Sequence, residues 1–585
     1  LEVDEVRRVD PITIEVVRNA LIATADEMKI NLARTAYSTI IYEVLDFSVG
    51  VFDADANIIA QASGLPIFLG NLSAAIEDGL KVIGRDGFKP GDVIITNDPY
   101  TTGTHLCDMT IYSPIFFNRE IVGFAATRAH WIDVGGKGPG GWFTDSTEIY
   151  QEGIRFRSVK LYKEGGPNED VLRIIQHNIR FPESSLGDMR AQVAACRTGE
   201  RRFVSIIQKY GKETVFNCIQ EIFDHDERLT RAEVDKIPDG IYEADSFLDD
   251  DGIEIGKPIP VKVKVKIEGS DMTLDLSESS KQVKGSPNCG LAAGISACRV
   301  AFKCITTPEL PVNQGSFKPL KVILPLGTVF SAVEPAPCST YGLPLMTLID
   351  TVFKALAPAI PDKIPAAHYG DVCATFIYGV DPKSNRPYLH VEPEGGGWGA
   401  RPTEDGENVL IAIADGDTYN VPVEAVEIRY PLMIERYELY RDSGGPGKYR
   451  GGLGHIRTYR ILGHEAGITI TYERSKCPPW GLFGGKPGAV NKVIVQQEEG
   501  GPEIVLNKAT NFRLKPGARL ICLTGGGGGY GDPLERDPEM VRLDVIRGYV
   551  SFKSAEEDYG VVLDPKTLEV DWKATKELRH RMKIE

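Results

Sequence analysis

At 585 residues, 42% of them apolar and 25% charged, the chain is long enough for two to four domains around a large buried core. A net charge of −16 and an isoelectric point near 5.3 exclude nucleic acid and anionic membrane as natural partners, since both call for a basic face. With no basic segment leading into an apolar run at the start, and no apolar stretch long enough to span a bilayer, a soluble, cytoplasmic protein is expected.

Asp10-Pro11 opens a helix, the aspartate as N-cap and the proline in the first turn, where its missing N–H costs nothing. Ile14, Val17, Leu21, Ala25, Met28 and Leu32 continue it as one apolar stripe to about Ala36. Phe47 to Phe52 and Asn57 to Ala60 read as a hairpin turning at Asp53 to Ala56, with Asp46 just ahead of it. An amphipathic helix through Ile76, Leu80 and Ile83 follows. Pro90-Gly91-Asp92 then turns into the strand Val93-Ile94-Ile95, which delivers Asn97-Asp98-Pro99. Because Asp98 precedes a proline, its backbone is biased toward extended and its carboxylate is a candidate for supporting ligands or touching substrate.

The chemistry concentrates between Asn97 and Gly153. Met109 to Phe117 and Ile121 to Thr127 read as two strands joined by Asn118-Arg119-Glu120, so His105 and Asp108 at the entry of the first come within range of His130 at the exit of the second. Two imidazoles and one carboxylate are the ligand set of a catalytic divalent metal with a position left open. A histidine is more often satisfied by an ordinary hydrogen bond, but here two of only nine fall at opposite ends of one hairpin. Asp133 stands beside them, and Gly103, Gly135, Gly136, Gly138, Gly140 and Gly141 allow close backbone approach. The ten cysteines are scattered without a CxxC pair, the pattern of reduced, mostly buried thiols; Cys107, between two candidate ligands, reads as a bystander rather than a soft ligand because neighbouring strand residues face opposite ways.

Glu169 to about Lys236 turns helical and carries four arginines between Gly187 and Arg202; Arg190 or Arg197 could meet a carboxylate or phosphate, the alternative being a solvated face. Asp239 to Leu276 alternates apolar and polar residues as antiparallel strands do. A small-residue helix follows within Ser286 to Ile305, loop and strand within Pro311 to Pro325, a helix from about Pro344 to before Pro358, and a strand from His368-Tyr369-Gly370. The glycine-rich Glu394 to Arg401 has neither the Lys-Ser/Thr of a P-loop nor a dinucleotide spacing. Tyr437 to Asp532 reads as strand-rich and glycine-punctuated, and the run Gly525 to Gly529 as a loop packed under another subunit. The tail from Glu535 reads as mostly helical. The expected class is multidomain α+β: residues 1–165 a mixed metal-site domain, 166–236 helical, 237–436 a central mixed domain, 437–535 a glycine-rich β domain and 536–585 a helical tail.

THLCD, AHWIDVGG and DSTEIYQEGIR, at Thr104, Ala129 and Asp145, resemble the B-type family of ATP-dependent hydantoinase and oxoprolinase subunits, which includes the corresponding subunits of acetone and acetophenone carboxylases. GDMRAQVAACRTGERR at Gly187, the stretch Asp417 to Gly454 and TGGGGGYGDP at Thr524 extend the likeness over roughly residues 10 to 555. The resemblance implies a metal, Zn, Mn or Fe, on His105, Asp108 and His130, with Asp46 turned toward the site; otherwise Asp46 merely stabilises a turn. Asp46, Asp98 and Asp133 are thus the candidate catalytic carboxylates. It also implies a partner, the A-type actin-like ATPase subunit, which uses ATP with Mg to phosphorylate the substrate's carbonyl oxygen. Cys107 stands where the family usually has proline and Trp131 where many hydrolytic members have a second histidine. On the Trp131 departure the leading expectation is carboxylation of a ketone; the alternatives are hydrolytic opening of a cyclic amide such as N-methylhydantoin or 5-oxoproline, and a structural subunit without chemistry of its own.

Overall fold

The computed structural model describes residues 9–584. Helices and antiparallel sheets are mixed throughout, in the expected α+β manner. The first helix runs Pro11–Thr35, with the Asp10 carboxylate accepting from the Ile12 and Thr13 N–H groups, and buries Val17, Leu21, Ala25, Met28 and Leu32.

A seven-stranded antiparallel sheet is built from β1 (Phe47–Phe52), β2 (Ile58–Gln61), β3 (Val93–Thr96), β4 (Asp108–Phe117), β5 (Glu120–His130), β6 (Val159–Lys163) and β7 (Gly166–Pro167), in the order β2-β1-β5-β4-β3-β6-β7. The β4–β5 turn works because Asn118 and Arg119 both take positive φ, 49° and 67°, the geometry that suits the strands' twist. That pairing sets Asp108 directly opposite His130. β4 and β5 are central, and helices Pro11–Thr35 and Pro182–Tyr210 cover one face of the sheet. Nearly every residue of both strands is therefore buried, which explains why each is longer than alternation in the sequence suggests.

Three helices, Glu169–Asn178, Pro182–Tyr210 and Lys212–Val234, fill the expected helical region. Beyond it Gly240–Leu248, Ile259–Glu268 and Asp271–Asp275 pair antiparallel. Leu320–Ile323 joins them parallel to Asp271–Asp275, a pairing that needs a crossover, here through the helix Leu291–Thr306. The strand expected from His368 begins only at Thr375, because Gly370 (φ 76°) and Cys373 (φ 47°) break the extended path. The 436/437 division falls inside the strand Leu432–Leu439, and the sheet holding Thr375–Val380 and Pro387–Glu392 also takes Ala466–Thr471 and Lys508–Leu514. The tail closes a small core of its own around Val541, Tyr559 and Val561.

The glycine run is where expectation and structure part. Gly525 to Gly529 are all buried inside this chain. The N–H groups of Gly526, Gly527, Gly528 and Gly529 bond to the carbonyls of Ala489, Gly452, Ala367 and Lys486, and that of Gly525 to Asn491 Oδ1. The carbonyls of Gly525, Gly527, Gly528 and Gly529 in turn accept from Gly397, Gly445, Ala400 and Leu482. Nine of the run's ten backbone groups are thus satisfied within this chain, mostly by neighbouring glycine-rich segments, so burial of the run does not call for another subunit.

Candidate metal centre

His105 enters from the loop before β4, Asp108 is the first residue of β4, and His130 is the last of β5. The strand register brings them together: His105 Nε2 lies 2.8 Å from Asp108 Oδ1 and 3.1 Å from His130 Nδ1, and His130 Nδ1 lies 3.3 Å from Asp108 Oδ1. Three lone-pair atoms at these separations form one face around an ion, because ligands at about 2.0–2.2 Å and near-right angles stand about 3 Å apart. The remaining atoms, His105 Nδ1, Asp108 Oδ2 and His130 Nε2, are buried without a partner. The donor set fits a divalent cation and leaves its other side open toward a cavity. Burial pushes the Asp108 carboxyl up, but the charges and hydrogen bonds of His105 and His130 outweigh it and hold it below the usual carboxylate range. Among the described residues no other group of three or more His, Cys, Asp or Glu converges in this way.

Asp46, just before β1, also faces this point, its Oδ2 3.9 Å from His130 Nδ1 and its Oδ1 unpartnered. Burial pushes its carboxyl up to about 8; the His130 charge opposes this, while Asp108 and Asp415 add to it. The His105 ring is held between Tyr341 and Trp142, with ring centroids 5.2 and 5.4 Å away. The cavity, of about 60 Å³, is walled mainly by apolar side chains, among them Ile67, Phe68, Leu345, Met346, Phe376 and Val391. It has room for several waters or one small ring.

Asp98 and Asp133 are not among the cavity-lining residues. Asp98 caps the short helix Pro99–Thr102 by accepting from the Tyr100 N–H. Asp133 accepts from the Gly135, Gly140 and Arg180 N–H groups and from the Arg180 guanidinium at 3.2 Å, pinning the glycine loop. Arg190 is exposed on its helix, and Arg197 binds Glu200 and the Gly91 carbonyl. The Cys107 thiol points to the Gly140 carbonyl, away from the ligands, and all ten cysteines are unpaired, eight of them buried.

Trp131 is buried against the helix Pro182–Tyr210, its indole N–H on Gln192 Oε1 at 2.8 Å, and does not reach the cavity. Replacing it by histidine is therefore expected to leave the metal content at one equivalent, measured by elemental analysis, while lowering the melting temperature through the lost packing. Sequence reasoning missed Glu392, Asp415 and Thr418, which line the cavity from segments far along the chain. The glycine-rich Glu394 to Arg401, which follows Glu392, and the family string from Asp417, which follows Asp415, were the only signals near them.

The hydantoinase B/oxoprolinase family model matches residues 10–533. A putative D-/L-hydantoinase B subunit from a Pseudomonas species is 33% identical over 98% of this chain and 99% of its own. The beta chain of the Pseudomonas jessenii caprolactamase is 34% identical over 95% of this chain and 97% of its own. The crystal structure of that ATP-dependent caprolactamase superposes with a TM-score of 0.93 at 33% identity, over 98% of this chain and 100% of the compared one. A nucleotide-free acetone carboxylase has the same fold, with a TM-score of 0.92 at 20% identity over 99% and 84% of the two chains. On its sequence and its fold alike, the chain belongs to the hydantoinase B/oxoprolinase family.

Proposed function

We propose that this chain is the metal-bearing subunit of an ATP-dependent enzyme that opens a cyclic amide, working with an A-type, actin-like ATPase subunit that phosphorylates the amide oxygen. The observation that carries the reading is the buried His105, Asp108 and His130 face opening onto a small apolar cavity. A divalent ion held there, Zn, Mn or Fe, supplies positive charge to polarise a carbonyl or phosphoryl oxygen. Around it, Asp46 is placed to hydrogen-bond and orient an attacking water, and the apolar wall keeps bulk water from the reacting bond. Asp98 and Asp133 act through the loops they pin.

Ring opening displaces ketone carboxylation as the leading reading for two reasons. Trp131, the one feature that favoured carboxylation, faces a helix and not the cavity. The full-length relatives at 33–34% identity are named for a hydantoinase and a caprolactamase, whereas the acetone carboxylase likeness, at 20%, is one of fold. Supplied with its ATPase partner and ATP, the chain is expected to convert caprolactam, N-methylhydantoin or 5-oxoproline into its ring-opened product. Incorporation of labelled bicarbonate into acetone or acetophenone, with every cyclic amide left intact, would contradict the reading.

The division of labour has a test of its own. No glycine-rich segment has the Gly-Lys-Ser/Thr string that runs into a helix to cradle phosphates. The isolated chain should therefore show no ATP binding by calorimetry, and tight binding would overturn the assignment of ATP to the partner.

A further inference from the structure

The cavity has a second polar side, facing the metal centre from the segment Ala412 to Thr418. That segment is fastened to the N-terminal part of the chain at several points. The Ala414 carbonyl accepts from the Ile67 N–H at 3.1 Å, the Tyr419 N–H donates to the Val44 carbonyl at 2.9 Å, and Asp417 pairs with Lys29. Gly416, at φ 40°, lies so close to Pro66 that a Cβ would come within 2.6 Å of its ring. Between these fastenings Asp415 and Thr418 both line the cavity.

Both have a buried polar atom left unspent, on a segment that belongs to neither the ligand hairpin nor the strand before it. Asp415 Oδ2 and Thr418 Oγ1 have no hydrogen-bond partner in the protein. Asp46 Oδ1, Glu392 Oε2 and one atom of each of His105, Asp108 and His130 are unpartnered there too, while other polar groups of the lining are engaged. The Trp142 N–H donates to Thr471 Oγ1 at 2.8 Å. Glu392 Oε1 accepts from Asn420 and the Val421 N–H and lies 3.1 Å from the Arg457 guanidinium. A buried polar atom left unpaired is destabilising, and a fastened segment that holds two of them toward a cavity is built for a ligand.

We propose that Asp415, with Thr418 beside it, contacts the ring nitrogen of the substrate and delivers the proton that nitrogen needs as the ring opens. This rests on the reading of the chain as part of an enzyme that opens cyclic amides. Water adds its oxygen to the carbonyl carbon, the C–N bond breaks with its electron pair going to nitrogen, and the Asp415 O–H proton goes to that nitrogen. The carboxylate left behind takes up a proton released by the water, and a second water releases phosphate from the acyl phosphate that C–N cleavage leaves, so the sequence balances with the phosphorylated substrate and water alone. Burial pushes the Asp415 carboxyl well up, and the charges of Asp108 and Asp371 push it further, the direction that favours a proton donor. Thr418, with a hydroxyl that both donates and accepts, fixes the nitrogen's position.

The test compares wild type, Asp415→Asn and Thr418→Val, each assembled with the ATPase partner, on a lactam and on the lactone of equal ring size. The isosteric asparagine should keep the metal content, the melting temperature and lactam-stimulated ATP cleavage. It should lose ring opening of the lactam by roughly 10²–10⁴-fold in kcat, the usual worth of a positioned acid. The lactone should lose far less, because its departing oxygen needs a proton much less. Thr418→Val should raise KM more than it lowers kcat. Lactam opening by Asp415→Asn within threefold of wild type would overturn the inference, and so would equal losses on lactam and lactone, which mark a structural role. A wild-type complex that opens no cyclic amide would sink the underlying reading, and the inference with it.

Discussion

Asp108→Ala is expected to remove the ion and lower turnover roughly 10³-fold or more, about 4 kcal/mol of lost transition-state stabilisation. His105→Ala and His130→Ala should do the same, with Asp108→Ala weakening the ion at least as much as either, since Asp108 carries the one formal negative charge of the three. The stability of the variants should separate them in the opposite order. The ligands lie at strand ends, which suggests that all three changes spare the fold, yet His105, Asp108 and His130 are only 1%, 0% and 4% exposed. Removing an imidazole strands the Asp108 carboxylate in a closed site, and breaking a buried pair in this way costs about 3–5 kcal/mol. Asp108→Ala leaves two imidazoles that can stay neutral. The histidine variants should therefore melt below Asp108→Ala. His225→Ala and His464→Ala, outside the cluster, should keep metal and activity, and loss of either there would point to a site elsewhere.

The second large effect belongs to the glycine-rich interior. A Cβ at Gly527 would lie 2.0 Å from the Trp398 carbonyl oxygen and 2.1 Å from its carbon, both of them backbone atoms that cannot swing aside. Gly527 also donates to the Gly452 carbonyl and accepts from the Gly445 N–H, so a shift would break bonds on both sides. Gly527→Ala should cost about 4 kcal/mol or more, in the range reserved for core disruption, and is expected to show as lost soluble yield or a much lower melting temperature. Gly500→Ala is the comparison. At φ 71° with nothing within 4 Å it should cost only about 1 kcal/mol of backbone strain. Equal melting of the two variants would mean the segments are not packed as described.

The convergence of His105, Asp108 and His130 was legible because it is local. The three residues come from one hairpin, and the turn residues and strand entries that converge them are close in sequence. Asp10-Pro11 and the apolar stripe behind it gave the first helix for the same reason. Features that depend on distant segments stayed hidden. Asp415 and Thr418 face the ligands only because their segment is fastened to Ile67, Val44 and Lys29, contacts that no local periodicity encodes. The glycine run is the irregular segment that its composition suggests, but composition could not show that its bonds come largely from three other glycine-rich stretches of the same chain. Trp131 misled differently: its place in a motif suggested a site residue, but its side chain follows the opposite face of the strand, to Gln192.

The central claim is best met by elemental analysis of the purified chain together with its anomalous diffraction. One equivalent of a divalent transition metal should be present, at about 2.0–2.2 Å from His105 Nε2, His130 Nδ1 and Asp108 Oδ1. A chain active with its partner but carrying no such ion, or carrying it away from these three atoms, would contradict the account.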